Sequence, residues 1–473
     1  MIAVTPPPVK SPAAGAVRSG AVTAVVCVAL AAVVSAMSSL NVALPEIARS
    51  THATQTELAW IIDAYSLVFA SLLLPAGAFG DRYGRRLALL VGLSVFGAGS
   101  AVAMTAHSAT ELIALRAVLG VGAALVMPAT LSTITGTFAA EQRTRAVSIW
   151  AAVAGGAALL GLLTSGLVLE VWSWPSVFGL NVVLAAVAIA GTLRYVPESA
   201  DPKAPRLDVG GAVLAGFVLF EMRRRNPLLD PRVFASRSLS AGSLSIFVQF
   251  FALFGFIFLV LQYLQLIRGD SALVSAISML PLAAALLPAA RLAPALVGRI
   301  GARATCTAGL VLMAGALVVL AQLTGTSSYW LIAAGLIPLG AGMGLAMTPA
   351  TSGITAALPA AQQGVGSAIN DLSREVGGAV GIAVLASVLT STYQSHLHLS
   401  QHLPAAEAGQ ARASVAVATH LGGAVAAQAH TAFADGLHLA LLITAGLVGA
   451  AAIAVATLLR GRGRTAGDTP AAA

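Results

Sequence analysis

Long apolar segments recur along the chain, and short loops that carry cations separate them. In the first half the segments fall near residues 20–44, 58–80, 87–107, 111–136, 147–170 and 176–196. In the second half they fall near 239–267, 273–297, 304–323, 330–353, 366–393 and 434–459. Each is long enough to cross the hydrocarbon of a bilayer as a helix, which takes roughly 20 residues. Since 58% of the residues are hydrophobic and only 9% are charged, the sequence predicts an all-α membrane protein with about 12 transmembrane helices.

The cations indicate how these helices are oriented. They fall on alternate sides of the predicted spans at Lys10, Arg18, Arg82, Arg85, Arg86, Arg143, Arg145, Arg194, Lys203, Arg206, Arg299, Arg303, Arg460, Arg462 and Arg464. By the positive-inside rule both termini are cytoplasmic, with tails at 1–19 and 460–473. The net charge of +8 therefore sets topology, which argues against a nucleic-acid partner.

A basic linker, residues 197–238, divides the predicted helices into two six-helix bundles at 20–196 and 239–459. Its apolar core, 209–220, is only about half a span and has cations on both sides, so we expect it to lie along the inner leaflet. The second bundle includes an Ala-rich outer loop, 394–433, which we expect to be helical.

The two halves repeat each other. "GDRYGRR" (80–86) is echoed by "GRIGAR" (298–303), and "GVGAALVMPAT" (120–130) by "GAGMGLAMTPAT" (340–351). Both pairs are separated by roughly 220 residues, and each copy falls on the corresponding span of its half. Two parallel six-helix halves with a substrate site between them are the architecture of one large transporter class.

Charged residues inside predicted helices are candidates for function. Asp63 in "WIIDAY" has no countercharge nearby in sequence, so it must be neutral, paired across helices or in contact with a water-filled cavity. Arg116, in the fourth predicted helix, is a possible partner. The alternative is an Asp63–Arg116 ion pair that only holds the bundle together.

A second charged group lies in "NDLSREVGG". On a helix Asp371 and Glu375 are one turn apart on one face, and Arg374 lies beside both. An acid in a partly dehydrated cavity can take a proton from one side and release it when a cation arrives, so proton and cationic substrate compete for one site. The alternative is that Asp371 caps its helix and that Arg374 and Glu375 neutralise each other.

The turn "GAFGDRYGRR" combines glycines that permit a tight reversal with cations that can pair with acids or lipid phosphates. We predict that it gates the cytoplasmic end, and the alternative is a positive-inside anchor. Its candidate residues are Gly77, Gly80, Asp81, Arg82, Gly84, Arg85 and Arg86.

Other chemistry finds little support in the sequence. Cys27 and Cys306 each stand alone in an apolar run. A metal site among the outer histidines is conceivable, but His396, His398 and His402 fit no familiar ligand spacing, which favours a solvated loop. Without a nucleophile–base set or a phosphate loop, we expect neither an enzyme nor a cofactor.

The motifs resemble the major facilitator superfamily, specifically its drug:proton antiporter branch with fourteen spans. "LNVALPEI" (40–47) resembles the end of the first-span signature, "WIIDAY" the start of the second, residues 77–86 the loop motif and "RAVLGVGAALVMPAT" the fourth-span motif with its arginine. "NDLSREVGGAVGIAVL" resembles a late span whose acids are implicated in proton coupling and cation recognition. The resemblance implies a monomeric multidrug or antibiotic exporter of the bacterial plasma membrane, with small molecules, protons and lipids as partners.

Several positions depart from that branch. The expected first-span acid is Ala36, which removes a usual proton-handling candidate, and the glutamine expected before Gly120 is Leu119. The fifth-span motif normally carries Gly-Pro and a later Gly-Gly, and the matching positions here are Gly161, Leu162, Ser165 and Gly166. Most of the central hairpin is absent around 206–226. An uncoupled facilitator or importer of a metabolite, or a transport-inactive sensor or scaffold, therefore stands beside proton-coupled export.

Overall fold

The computed structural model describes residues 19–138, 140–199, 236–358, 363–399 and 404–460. All regular structure in these ranges is helical, as predicted. The helices of the first half are α1 Ser19–Thr51, α2 Gln55–Tyr83, α3 Arg85–Ala103, α4 Ala109–Thr137, α5 Ala140–Leu169 and α6 Pro175–Tyr195. Those of the second half are α7 Arg237–Gln262, α8 Ala272–Ile277, α9 Leu280–Leu320, α10 Tyr329–Thr355, α11 Gln363–His396, α12 Ala405–Ala413, α13 Val415–Leu421 and α14 Gly423–Leu458.

Within the described ranges, ten stretches are long and apolar enough to cross a membrane. One of them, Ala272–Leu320, has 49 residues and is interrupted at Gly301, where φ is 83°. Glycine tolerates this left-handed backbone and other residues rarely do. Because 49 residues are more than twice the roughly 20 that one crossing needs, we count the stretch as two crossings. With α5, which has 30 residues, these ranges contain the twelve crossing segments that the sequence predicts.

The internal repeat is also present in the packing. In α4, a Cβ atom at Gly122 would lie 2.7 Å from the carbonyl oxygen of Gly92 in α3. In the second half, a Cβ at Gly342 in α10 would lie 2.5 Å from the carbonyl oxygen of Gly309 in α9. The same close helix contact thus recurs after roughly 220 residues, because only glycine lets the two main chains approach this closely.

The predicted outer loop at 394–433 is shorter than the sequence indicates. α11 continues to His396, α12 and α13 follow, and α14 begins at Gly423 rather than at 434. The stretch after Gly423 is rich in alanine, which favours helix and extends α14 beyond its most apolar part. The predicted inner-leaflet segment at 209–220 and most of the linker lie outside the described residues.

Candidate functional site

Arg116 ties three helices of the first half together. Its side chain is 1% exposed, although it is charged and lies inside α4. Nε donates to the carbonyl oxygen of Ile61 at 2.9 Å and an Nη donates to that of Ala36 at 3.1 Å. The guanidinium also lies over the ring of Tyr65, 4.3 Å from its centre. A buried cation held by carbonyl dipoles and an aromatic face is stable without a carboxylate in contact.

Asp63 is buried beside this cluster but is not bonded to it. Its carboxyl is 4% exposed, and Oδ1 has no hydrogen-bond partner among the described residues. It interacts with Arg116 electrostatically, yet no nitrogen of Arg116 lies within ion-pair distance in the described part of the chain. The purely structural Asp63–Arg116 ion pair is therefore not formed, and Asp63 keeps an unused acceptor.

The predicted group on α11 is assembled as the spacing indicates. Arg374 bridges the two acids, with Nη2 3.2 Å from Oδ1 of Asp371 and Nε 3.4 Å from Oε1 of Glu375. Glu375 is 1% exposed and its Oε2 has no partner, whereas Asp371 and Arg374 are each about a quarter exposed. α11 begins at Gln363, about two turns before Asp371, so Asp371 does not cap this helix.

Glycines on α11 bring this group against α7. Cβ atoms at Gly377 and Gly381 would collide with the main chain at Phe247 and Phe251. This close contact also places the guanidinium of Arg374 over the ring of Phe250, 5.6 Å from its centre. The packing therefore fixes which way the charged turn of α11 points.

The two clusters interact across the halves. The phenol of Tyr65 in α2 interacts electrostatically with Arg116 of its own half and with Glu375 of the other half. Its hydroxyl donates to the carbonyl oxygen of Val33 at 2.9 Å, which holds the ring in place. Tyr65 thus couples the Arg116 cluster of the first half electrostatically to Glu375 of the second half.

The turn between α2 and α3 is fastened to the end of α6. Gly84 has a φ of 120°, which suits glycine. The main-chain nitrogen of Arg85 donates to the carbonyl oxygen of Ser199 at 3.0 Å, and that of Arg86 donates to Oε1 of Glu198 at 3.2 Å. The Arg86 side chain donates to the carbonyl oxygen of Leu193 at 2.9 Å. These contacts lie within the first half.

The remaining residues of the predicted gate belong to α2. Gly77 packs on Pro128 of α4 and Gly80 on Ala88 of α3. The guanidinium of Arg82 lies 5.7 Å from the centre of the Tyr83 ring. The side chain of Asp81 is outside the described set. The gating role of this turn stays a prediction.

Hydrogen bonds join the halves at the end that the sequence predicts to be outer. Gln55 donates to Gln262 at 2.8 Å, and Gln265 donates to the carbonyl oxygen of Val42 at 3.0 Å. The main chain of α8 donates to Glu170 at 3.2 Å. Among hydrogen bonds between described residues, these are the three that cross between the halves.

Sequence reasoning missed the residues that act across the halves. Tyr65 lies two positions after Asp63 in "WIIDAY", and its aromatic hydroxyl in a charged segment was an available signal. The Gln55–Gln262 contact had no such signal, because the two residues are far apart in sequence and neither stands in a recognisable motif.

The chain is similar to transport proteins of known type. A family profile described as Major Facilitator Superfamily matches residues 26–382. Methyl viologen resistance protein SmvA of Salmonella typhimurium is 31% identical over 416 residues, which cover 80% of this chain and 84% of that protein. Multidrug resistance protein Stp of Mycobacterium tuberculosis is 32% identical over 405 residues, which cover 77% and 75%.

A similar solved structure is that of a bacterial homolog to the human lysosomal transporter Spinster, in an inward-facing and unoccupied conformation. The TM-score is 0.71 at 17% identity, and the match covers 94% of this chain and 98% of that one. At this identity the likeness concerns the fold alone.

Proposed function

Since the chain belongs to the Major Facilitator Superfamily, we propose that it exports amphipathic or cationic small molecules by alternating access, driven by proton influx. It is a multi-pass transporter of the bacterial plasma membrane and not an enzyme. Its relatives are named for resistance to methyl viologen and to multiple drugs, and methyl viologen is a dication. These names support a cationic substrate class.

The observation that carries the proposal is the buried carboxyl of Glu375. It lies on α11, which packs against α2 of the first half, has one oxygen without a partner, and is neutralised only in part by an Arg374 that it shares with Asp371. A carboxylate in this position gains stability either from a proton or from a cationic ligand. Competition between the two provides coupling, because the site holds one positive charge at a time.

The exchange follows from this competition. In the inward-facing shape a cation from the cytoplasm binds near Glu375 and displaces its proton to the cytoplasm. In the outward-facing shape a proton from outside takes the carboxyl and the cation leaves. Exchange of one proton for one monovalent cation moves no net charge, so the pH gradient drives it, at about 1.4 kcal/mol per pH unit.

Hydrogen bonds between the halves support an inward-facing conformation for this structure. The inter-half hydrogen bonds lie at the predicted outer end, at Gln55–Gln262 and Gln265–Val42. We interpret this arrangement as inward-facing. Opening outward has to break these bonds while the α2–α3 turn, with Arg85 and Arg86, closes the cytoplasmic end.

Proteoliposomes loaded with a pH dye test the proposal. We expect a substrate cation added outside vesicles that contain the wild-type protein to enter the lumen in exchange for protons, which makes the lumen more alkaline. An opposing pH gradient should slow this exchange. Glu375→Gln should abolish proton release, and Asp371→Asn should alter its pH dependence. The control is Asp435→Asn, which removes an exposed carboxylate on α14. If both α11 variants keep wild-type rates and pH profiles, the coupling role is wrong.

An uncoupled facilitator is the second candidate, and Ala36 favours it. At Ala36, the position where the antiporter branch has an acid, Arg116 donates to the main-chain carbonyl oxygen and has no carboxylate to pair with. A facilitator moves its solute down a gradient without any pH change in the vesicle, which the same assay detects.

A further inference from the structure

A groove lies on the seam between the halves, where α2 packs beside α11. Its volume is about 390 Å³, within the range of sites for small organic molecules. The side chains at its rim are open to the surroundings of the helix bundle: Trp60 is 51% exposed, Leu67 39% and Val380 38%. Since both helices cross the membrane, these surroundings are the lipid bilayer.

The groove exists because α11 presents small residues to α2. Ala379, Ala383, Ala386 and Ser387 recur at helical spacing and form its α11 wall. Larger side chains at these positions would fill the space. The opposite wall is the face of α2 that contains Thr56, Trp60, Asp63 and Leu67.

Asp63 gives this apolar groove its acidic group. It lines the groove, it is 4% exposed, and its Oδ1 is unpartnered among the described residues. Among the described residues that line the groove, Asp63 is the one with an ionisable carboxyl. It lies eight residues after the start of α2, roughly 12 Å below the predicted outer end of that helix. A ligand that reaches it must therefore be soluble in hydrocarbon.

Trp60 lies one turn before Asp63 on the same face of α2. An indole face attracts cations, most strongly where water is scarce. A carboxylate at the inner end and an exposed indole at the rim together favour a ligand that is both positively charged and apolar. The carboxylate and the indole face both disfavour an anion of the same shape.

We propose that the α2–α11 groove is a membrane-facing binding site for lipophilic monovalent cations, which enter or leave it directly through the half of the bilayer at the predicted outer end. This inference rests on the proposed export function and names a route for its substrates. Glu375 lies one turn inward of Ala379 along α11, so the groove ends next to the central cluster. A cation passing between bilayer and cluster has a carboxylate at each end of this short path.

Binding of tetraphenylphosphonium to the purified full chain in lipid nanodiscs tests the site. Ala383→Phe places a ring in the groove, and we expect it to raise the Kd at least about tenfold. The matched control is Ala98→Phe, an exposed position on α3 that does not line the groove, which should leave the Kd within about twofold. Tetraphenylborate, an anion of the same shape, should not compete.

A second readout protects the test from a folding defect in Ala383→Phe. In Ser387→Cys, tetraphenylphosphonium should slow alkylation at position 387 by a membrane-permeant maleimide, followed by peptide mass spectrometry. Asp63→Asn in the same background should remove this protection. Either unaltered binding in Ala383→Phe or an unprotected cysteine at position 387 overturns the inference.

Transport assays on the same proteins separate this inference from the proposed function. Proton-coupled export by wild-type protein, with binding that Ala383→Phe does not change, overturns the groove and leaves export intact. Binding that Ala383→Phe weakens, in a protein that moves no substrate, confirms the groove as a cation site and overturns export. Absence of tetraphenylphosphonium binding to wild-type protein overturns the groove.

Discussion

Arg374 and Glu375 provide the sharpest test of the charged turn on α11. Their nitrogen and oxygen lie 3.4 Å apart, which corresponds to about 5 kcal/mol of Coulomb attraction at an effective dielectric constant near 20, before the cost of desolvation. Asp371 lies 3.2 Å from Arg374, but both side chains are about a quarter exposed. At the dielectric constant of water that attraction falls to about 1 kcal/mol.

Arg374→Gln should therefore destabilise the protein mainly through Glu375, which it leaves buried without its neighbouring cation. Breaking a buried pair typically costs about 3–5 kcal/mol. Because water reaches part of Arg374, we expect about 2–3 kcal/mol here. Adding Glu375→Gln should restore about 1–2 kcal/mol, since both charges are then gone. Adding Asp371→Asn should restore less than about 0.5 kcal/mol.

Equilibrium unfolding in mixed micelles, followed by tryptophan fluorescence, measures these differences. Arg237→Gln, at an exposed position at the start of α7, is the control and should change the free energy of unfolding by less than about 0.5 kcal/mol. Equal rescue by Asp371→Asn and Glu375→Gln would show that burial does not distinguish the two acids. Absence of rescue by either would refute the ion-pair reasoning altogether.

Two further predictions concern the ends of the transporter. Gly84→Ala forces a Cβ onto the carboxylate of Glu198 at a positive φ. We expect thermal unfolding to show that the free energy of unfolding falls by about 1–2 kcal/mol. The control is Gly446→Ala, whose Cβ meets no atom within 4 Å and which should be neutral or slightly stabilising. Gln55→Leu removes the 2.8 Å hydrogen bond to Gln262 and should favour outward opening by about 1 kcal/mol. Spin-label distances across the outer ends should then lengthen, and an unchanged distance distribution contradicts the closure role.

The sequence predicts the features that depend on local chemistry. Hydropathy locates the crossing segments, because the bilayer requires long apolar helices with every backbone group bonded. The 371–374–375 spacing predicts the charged turn on α11, since helical geometry fixes which neighbours meet. The echo of "GVGAALVMPAT" in "GAGMGLAMTPAT" predicts that the two halves repeat each other.

Features that depend on how the halves dock could not be predicted in this way. The sequence leaves open whether Asp63 is neutral, paired with Arg116 or in contact with a water-filled cavity, because a charge in a membrane needs compensation. In the structure, Arg116 donates instead to the carbonyl oxygens of Ala36 and Ile61, and its other terminal nitrogen has no partner among the described residues. The proximity of Tyr65 and Glu375 likewise depends on the orientation of α2 against α11, which no local pattern encodes.

The two sides of α11 are under different constraints. The side with Gly377 and Gly381 is locked against α7, where any added atom collides with backbone. The side with Ala383 and Ser387 borders open space. Under the proposed groove site, mutations on the open side change which compounds bind while the charged turn keeps its position, so a bacterial population exposed to a new toxic compound has a short evolutionary path to altered resistance through this single helix.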